Sequence, residues 1–215
     1  MASIVPAILT NDPAVYQQQA GAYPQFAKRI QIDITDGEFV PIPTVTVNDI
    51  ALPQNVEADL HMMVLRPSEH LQRIIALKPS LVIFHAEAAE NLLESINELK
   101  KAGIKTGVAM LKSTYPARIR AYIEAVDHVM IFAGELGKQG GTADMLQTEK
   151  VGLIRAIKSD VEIGWDGGAN LKNIRAINHA DIDVINVGSA IAKAQDPAAA
   201  YEELAKEAER RGVAL

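Results

Sequence analysis

A closed (β/α)8 barrel, the TIM-barrel class of α/β protein, is predicted for this 215-residue chain by three observations. Eight short apolar runs rich in valine and isoleucine alternate with helical patterns from end to end, the sign of a parallel sheet covered by helices. The fingerprint of an open dinucleotide-binding sheet, G-x-G-x-x-G, is missing after the first strand, where P-A-I-L-T-N-D stands instead. No Gly/Pro/Ser-rich linker or low-complexity tract divides the chain, so residues 1–215 read as one barrel domain, near the lower size limit for the fold.

The elements follow in order. S-I-V-P-A-I-L (3–9) is the first strand, and a helical pattern covers 12–22. R-I-Q-I-D-I-T (29–35) alternates strictly and forms the second strand, after which the link is short or irregular. V-E-A-D-L-H-M-M-V (56–64) and L-V-I-F-H-A-E (81–87) flank a helix over 68–77. The helix over 89–103 is the clearest, with Leu92, Leu93, Ile96 and Leu99 on one stripe and Gly103 as its stop. K-T-G-V-A-M-L (105–111), H-V-M-I-F-A (128–133), V-E-I-G-W-D (161–166) and D-V-I-N-V-G (183–188) complete the strands. Helices over 116–125, 143–158, 170–178 and 197–211 lie between and after them.

Composition narrows the function classes. Hydrophobic residues make up 48% and charged residues 22%, as in soluble globular proteins. A net charge of −6 argues against general binding to nucleic acid or an anionic membrane, so an anionic ligand needs a local site. With no cysteine, disulfides, thiolate metal sites and a cysteine nucleophile are excluded. No apolar run is long enough to span a membrane and no signal core follows M-A-S-I-V-P, so a cytoplasmic location is expected.

Strand parity points to the chemistry. In a barrel one strand face packs under helices and the other points inward. Ile30, Ile32 and Ile34 then face the helices while Gln31, Asp33 and Thr35 point inward. By the same alternation Glu57, Asp59, His61 and Met63 point inward on the third strand, and Glu162, Gly164 and Asp166 on the seventh. Asp33, His61 and Asp166 thus converge at the C-terminal strand ends, where barrel enzymes keep their chemistry. Two carboxylates across a dry pocket can act as an acid/base pair at a carbon beside a carbonyl, inverting it through an enediolate. The oxyanions of that enediolate need donors or a cation, and Asp33, His61 and Asp166 are suitable metal-ligand types. Taken singly, each of these residues is also consistent with a buried structural role.

Three glycine-containing turns follow the last strands: E-L-G-K-Q-G-G (135–141), W-D-G-G-A-N (165–170) and N-V-G-S-A (186–190). Barrels often bind phosphate there through backbone N–H groups, which glycine allows to approach closely. Lys138 either adds a charge to that cradle or is a solvated loop residue.

Together D-I-T-D-G-E-F-V-P, D-L-H-M-M-V, F-H-A-E-A, G-V-A-M, L-G-K-Q-G, W-D-G-G and V-G-S-A-I resemble the ribulose-phosphate 3-epimerases over nearly the whole chain. The resemblance implies a ribulose-phosphate-binding (β/α)8 barrel that interconverts ribulose 5-phosphate and xylulose 5-phosphate by inversion at C3. It also implies a divalent metal (Zn, Fe, Mn or Mg) and a homo-oligomer. Asp33 and Asp166 match the acid/base aspartates and, with His61, metal ligands. Met63 and Met130 match methionines that wall the sugar. Gly137 and Lys138 fall in the glycine loop, and Gly167, Gly168, Gly188 and Ser189 match the phosphate-binding turns.

The chain departs from that pattern at informative places. Gln31 stands where a metal-ligand histidine is usual, Thr35 replaces a pocket methionine, and Ala7 replaces a substrate-contacting serine. A glutamine oxygen is a poorer ligand than imidazole for zinc or iron, though it suits harder cations. Lys112, where an Asn-Pro ending is usual, either supplies charge in place of a metal or lies on the rim. Three readings follow: a phosphosugar 3-epimerase, another enediolate-type phosphosugar isomerase or decarboxylase, or a non-catalytic phosphosugar-binding relative.

Overall fold

Strands of valine and isoleucine, covered on both faces, assemble where crossover helices can lie outside them, and here they close completely. The computed structural model describes residues 2–137 and 140–210. Its strands are β1 (Ser3–Ile8), β2 (Arg29–Thr35), β3 (Glu57–Met63), β4 (Leu81–His85), β5 (Lys105–Met110), β6 (His128–Phe132), β7 (Glu162–Asp166) and β8 (Val184–Val187). All pair in parallel in sequence order, and β8 returns to β1 with Ser3 opposite Val184. The result is the predicted (β/α)8 barrel. None of its described helices is long and apolar enough to cross a membrane.

The helices are α1 (Pro13–Ala22), α2 (Leu71–Leu77), α3 (Leu92–Lys101), α4 (Arg120–Ala125), α5 (Lys150–Arg155), α6 (Ile174–His179), α7 (Ser189–Ala192) and α8 (Pro197–Glu209). Several are shorter than the sequence pattern suggests. The expected helix at 116–125 begins as a 3-10 turn, Pro116–Ile119, and the one at 143–158 begins as another, Met145–Glu149. Asn91 caps α3 through Leu93 N–H, so that helix starts three residues later than the 89–103 pattern. Gly103, at φ +77°, supplies the left-handed stop. α7 was not expected, because its four residues carry no periodicity.

The barrel–helix layer is one continuous core that includes Ile30, Ile32, Ile34, Leu60, Phe84, Val108, Ile163, Trp165 and Ile185. Ile30, Ile32 and Ile34 are the helix-facing residues that parity assigned on the second strand. A smaller cluster of Leu81, Ile83, Ala109 and Met130 fills the barrel interior. The link from β2 to β3 has no helix. It is anchored by Thr35, whose Oγ1 donates to the Ile42 carbonyl at 2.5 Å and whose N–H donates to Thr44 Oγ1 at 3.0 Å. Asp36 fixes its start by accepting from the N–H groups of Glu38, Phe39 and Leu65. Burial works against the Asp36 charge, but these donors outweigh it and hold its pKa low.

Candidate active site

Strand register carries Asp33 and His61 to the same level of the barrel, directly opposite each other on β2 and β3. Asp166 ends β7, opposite Phe132 on β6 and Asn186 on β8. The three side chains meet at the C-terminal mouth. His61 Nδ1 lies 3.0 Å from Asp33 Oδ1 and 3.5 Å from Asp166 Oδ2. Ligand atoms of Asp33, His61 and Asp166 all fall within 4.8 Å of one another, a triad with the donor types and spacing to hold a metal ion.

Gln31 completes the cluster. It is fully buried, and its Nε2 donates to Asp33 Oδ1 at 2.8 Å and to Asp166 Oδ2 at 2.6 Å. One amide group therefore bridges both carboxylates. Its Oε1 is buried without a partner. Rotating the amide end over end would exchange donor for acceptor and aim an oxygen between the two aspartates. Two carboxylates, an imidazole and an amide oxygen then form a donor set that fits a divalent cation of the harder kind.

The electrostatics separate the two aspartates. Burial, helped by the neighbouring Asp33 carboxylate, raises Asp166 from the ordinary aspartate value near 3.8 to about 7. His61 and the Gln31 amide pull against that rise without cancelling it. For His61, burial disfavours the cation, but the hydrogen bond to Asp33 and the charges of both aspartates reverse this and raise its pKa.

Behind His61 lies a residue whose part the sequence did not reveal. His85, at the end of β4, places Nε2 2.8 Å from His61 Nε2 and Nδ1 3.4 Å from Glu87 Oε2. Burial pushes His85 down to about 4, so it faces His61 as the neutral imidazole. Phe39 and Phe132 cover its ring with centroids 5.0 and 5.8 Å away. The available signal was parity, since His85 has the inward phase on β4 that His61 has on β3.

A cavity opens above the triad. Asp33, His61, Met63 and Asp166 line it, together with Gly137, Gly167, Gly168, Gly188 and Ser189. Gly167 and Gly168 have φ of +107° and +72°, and a Cβ on them would stand 2.2 Å from Gly134 N and 2.3 Å from Ala143 N. Only glycine fits either position.

Of the remaining expected residues, Met130 sits deeper, packed with Leu81, Ile83 and Ala109, and does not reach the cavity wall. The resemblance implied a methionine walling the sugar at this position, and the structure places it in the layer beneath the cavity. Lys138 lies outside the described residues. Lys112 is exposed on the rim and is not among the residues lining the cavity.

Comparison with known proteins agrees with this geometry. The profile of the Ribulose-phosphate 3 epimerase family matches residues 3–192. The ribulose-phosphate 3-epimerase of Schizosaccharomyces pombe is 29% identical over 203 residues, covering 91% of this chain and 89% of its own. That of Helicobacter pylori is 29% identical over 182 residues, covering 81% and 84%. In structure the chain is similar to 3-hexulose-6-phosphate synthase from Salmonella typhimurium, with a TM-score of 0.73 at 18% identity over 96% of this chain and 98% of that one. At that identity the likeness shows the shared barrel alone. The sequence match, which spans all eight strands, shows more: this chain belongs to the ribulose-phosphate 3-epimerase family.

Proposed function

We propose that the protein inverts C3 of a phosphorylated ketose of the ribulose 5-phosphate/xylulose 5-phosphate type, with Asp33 and Asp166 as its acid/base pair. The observation that carries this reading is the pair itself: two carboxylates at one cavity, bridged by one amide, with Asp166 raised to about 7. A single proton shared by such a pair gives one base and one acid, which inversion requires. Asp33 accepts both Gln31 Nε2 and His61 Nδ1 on Oδ1, which leaves Oδ2 for a substrate proton.

The steps follow from that arrangement. One carboxylate takes the C3 proton, and the electron pair moves through C2 onto the carbonyl oxygen. The other carboxylate then delivers its proton to the opposite face of C3 as the carbonyl re-forms. His61, whose pKa is raised against burial by the hydrogen bond to Asp33 and the charges of both aspartates, places its imidazole beside the developing enediolate, where its protonated form offers positive charge. The glycine turns at 167–168 and 188–189 hold the phosphate through backbone N–H groups, and Met63 excludes water beside the reacting carbons.

Asp33, His61 and Asp166, joined by Gln31 once its oxygen turns inward, are the residues that would hold a divalent cation. When bound, such an ion supplies Lewis-acid stabilisation to the enediolate oxygens. The reading also includes self-association, supported by the exposed Leu146 and Leu153 beside and within α5. Light scattering on the purified chain tests that part; a monomer removes it.

The test of the reaction is incubation with ribulose 5-phosphate in D₂O. Xylulose 5-phosphate carrying deuterium at C3 is expected, and Asp33→Asn and Asp166→Asn should each lower turnover by about 10²–10⁴-fold. Full activity in either variant, or no exchange in the wild type, overturns the reading.

A further inference from the structure

On β8, Ile185 and Val187 pack outward into the barrel–helix core, so Asn186 between them faces the barrel interior. Its side chain lines the cavity, and the residue is only 2% exposed. Its Oδ1 is sealed from solvent and has no hydrogen-bond partner among the described residues. An unpaired amide oxygen in that position opposes folding. On one side β1 offers no donor, because its inward residues there are Val5, the register partner, and Ala7; on the other side Asp166 of β7 stands in register but makes no hydrogen bond to this oxygen.

Placement narrows what the missing donor is. Asn186 stands beside Asp166 in register, and Gly188 follows two residues on with the same inward phase, about 6.6 Å further toward the mouth. The residue thus lies between the proton-transfer pair and the phosphate-holding turn. A phosphate dianion offers acceptors only and cannot satisfy a carbonyl oxygen. A hydroxyl can.

We propose that Asn186 is a specificity-determining residue: turned about its Cβ–Cγ bond, its amide presents Oδ1 to the cavity, where it accepts from the substrate hydroxyl on the carbon between C3 and the phosphate-bearing carbon. In a ketopentose 5-phosphate this is the C4 hydroxyl. The inference rests on the epimerase reading, because that reading fixes which end of the sugar meets Asp166.

The experiment compares ribulose 5-phosphate with its 4-deoxy analogue as substrates for wild type and Asn186→Leu. Wild type should prefer the hydroxyl-bearing sugar by about 10- to 100-fold in kcat/KM. In Asn186→Leu that ratio should fall to near one, while the thermal midpoint stays level or rises because a buried unpaired acceptor is gone. An unchanged ratio overturns the proposal, as does an equal loss on both sugars with a lowered midpoint, which marks a structural residue. Calorimetric binding of the two sugars separates this from failure of the parent reading. If wild type binds them with the stated preference yet turns over neither, the epimerase assignment falls and the Asn186 contact stands; equal binding of both overturns the contact.

Discussion

Replacing Asp166 by asparagine should cost turnover and stabilise the fold at the same time. The variant keeps the shape of the carboxylate and an oxygen to accept from Gln31 Nε2, now at 2.6 Å from Oδ2. What it removes is a carboxyl moved from an ordinary value near 3.8 to about 7. The folded state therefore holds this proton more tightly than the unfolded chain does. Stability from this group is complete below about pH 4 and is lost as pH rises through about 7. A displacement of about three pH units at 1.36 kcal/mol each sets a ceiling of about 4 kcal/mol. The side chain is 14% exposed and shares its field with Asp33, so about 2–4 kcal/mol is the expected size above neutrality. The assay is urea unfolding of wild type and Asp166→Asn with chelator present, at about pH 4 and about pH 8. The variant should match wild type at the lower pH and exceed it at the higher. If Asp166→Asn is equally or less stable at the higher pH, Asp166 is held as an ion-pair partner of His61, and the shared-proton argument is refuted.

Three further substitutions test other parts of the molecule. Gln31→His offers imidazole in place of the amide and should tighten zinc binding by about 10- to 100-fold, read by competition with a chelating dye; unchanged affinity would show that position 31 does not face the ion. Gly168→Ala places a Cβ 2.3 Å from Ala143 N at φ +72°. It should lower stability by about 1–3 kcal/mol and raise KM for the phosphosugar, measured by unfolding and steady-state kinetics. Arg29→Met breaks the pairs with Asp59 at 2.6 Å and Glu162 at 2.9 Å near the N-terminal end of the barrel. A loss of about 3 kcal/mol is expected in urea unfolding, with KM unchanged because the cluster lies away from the cavity.

Parity in strands of isoleucine and valine made the barrel legible, because a fully covered strand must place its polar residues inward. That argument located Asp33, His61 and Asp166, and the glycine turns located further residues of the same cavity lining. It could not give depth. Met130 shares the inward phase of the site residues, yet it fills a layer beneath them with Leu81 and Ile83. Nor could it show partners across strands. His85 and Asn186 are ordinary strand residues in the sequence, and only the register of β4 against β3 and of β8 against β7 brings them to His61 and Asp166. Helix boundaries were misjudged where 3-10 turns lead into α4 and α5, since these keep an apolar stripe without α-helical hydrogen bonds. Lys150 shows the same limit from the other side. It is a charged residue in a helical pattern, yet it is buried and its Nζ donates to the carbonyls of Leu111 and Lys112 at 2.9 and 3.1 Å.

The two ends of the barrel solve the same electrostatic problem in different ways, and the difference bears on function. Near the N-terminal end, Asp59 and Glu162 face Arg29, with His128 Nδ1 2.7 Å from Glu162. A permanent cation there is bonded to both carboxylates. Burial still raises Asp59 to about 6 against the pull of Arg29, whereas Glu162, held by His128 and Arg29, stays low. At the C-terminal end Asp33 and Asp166 have no arginine partner among the described residues. A neutral amide, Gln31, occupies the bridging place, and the basic group beside the pair among the described residues is the imidazole of His61. Two buried carboxylates in that setting must keep a proton or acquire a cation, since the desolvated pair cannot hold both negative charges cheaply. A retained proton is the reagent that an inverting acid/base pair needs at the start of each turnover. An arginine at position 31 would stabilise both carboxylates as anions and, by the same reasoning, leave neither able to act as the acid.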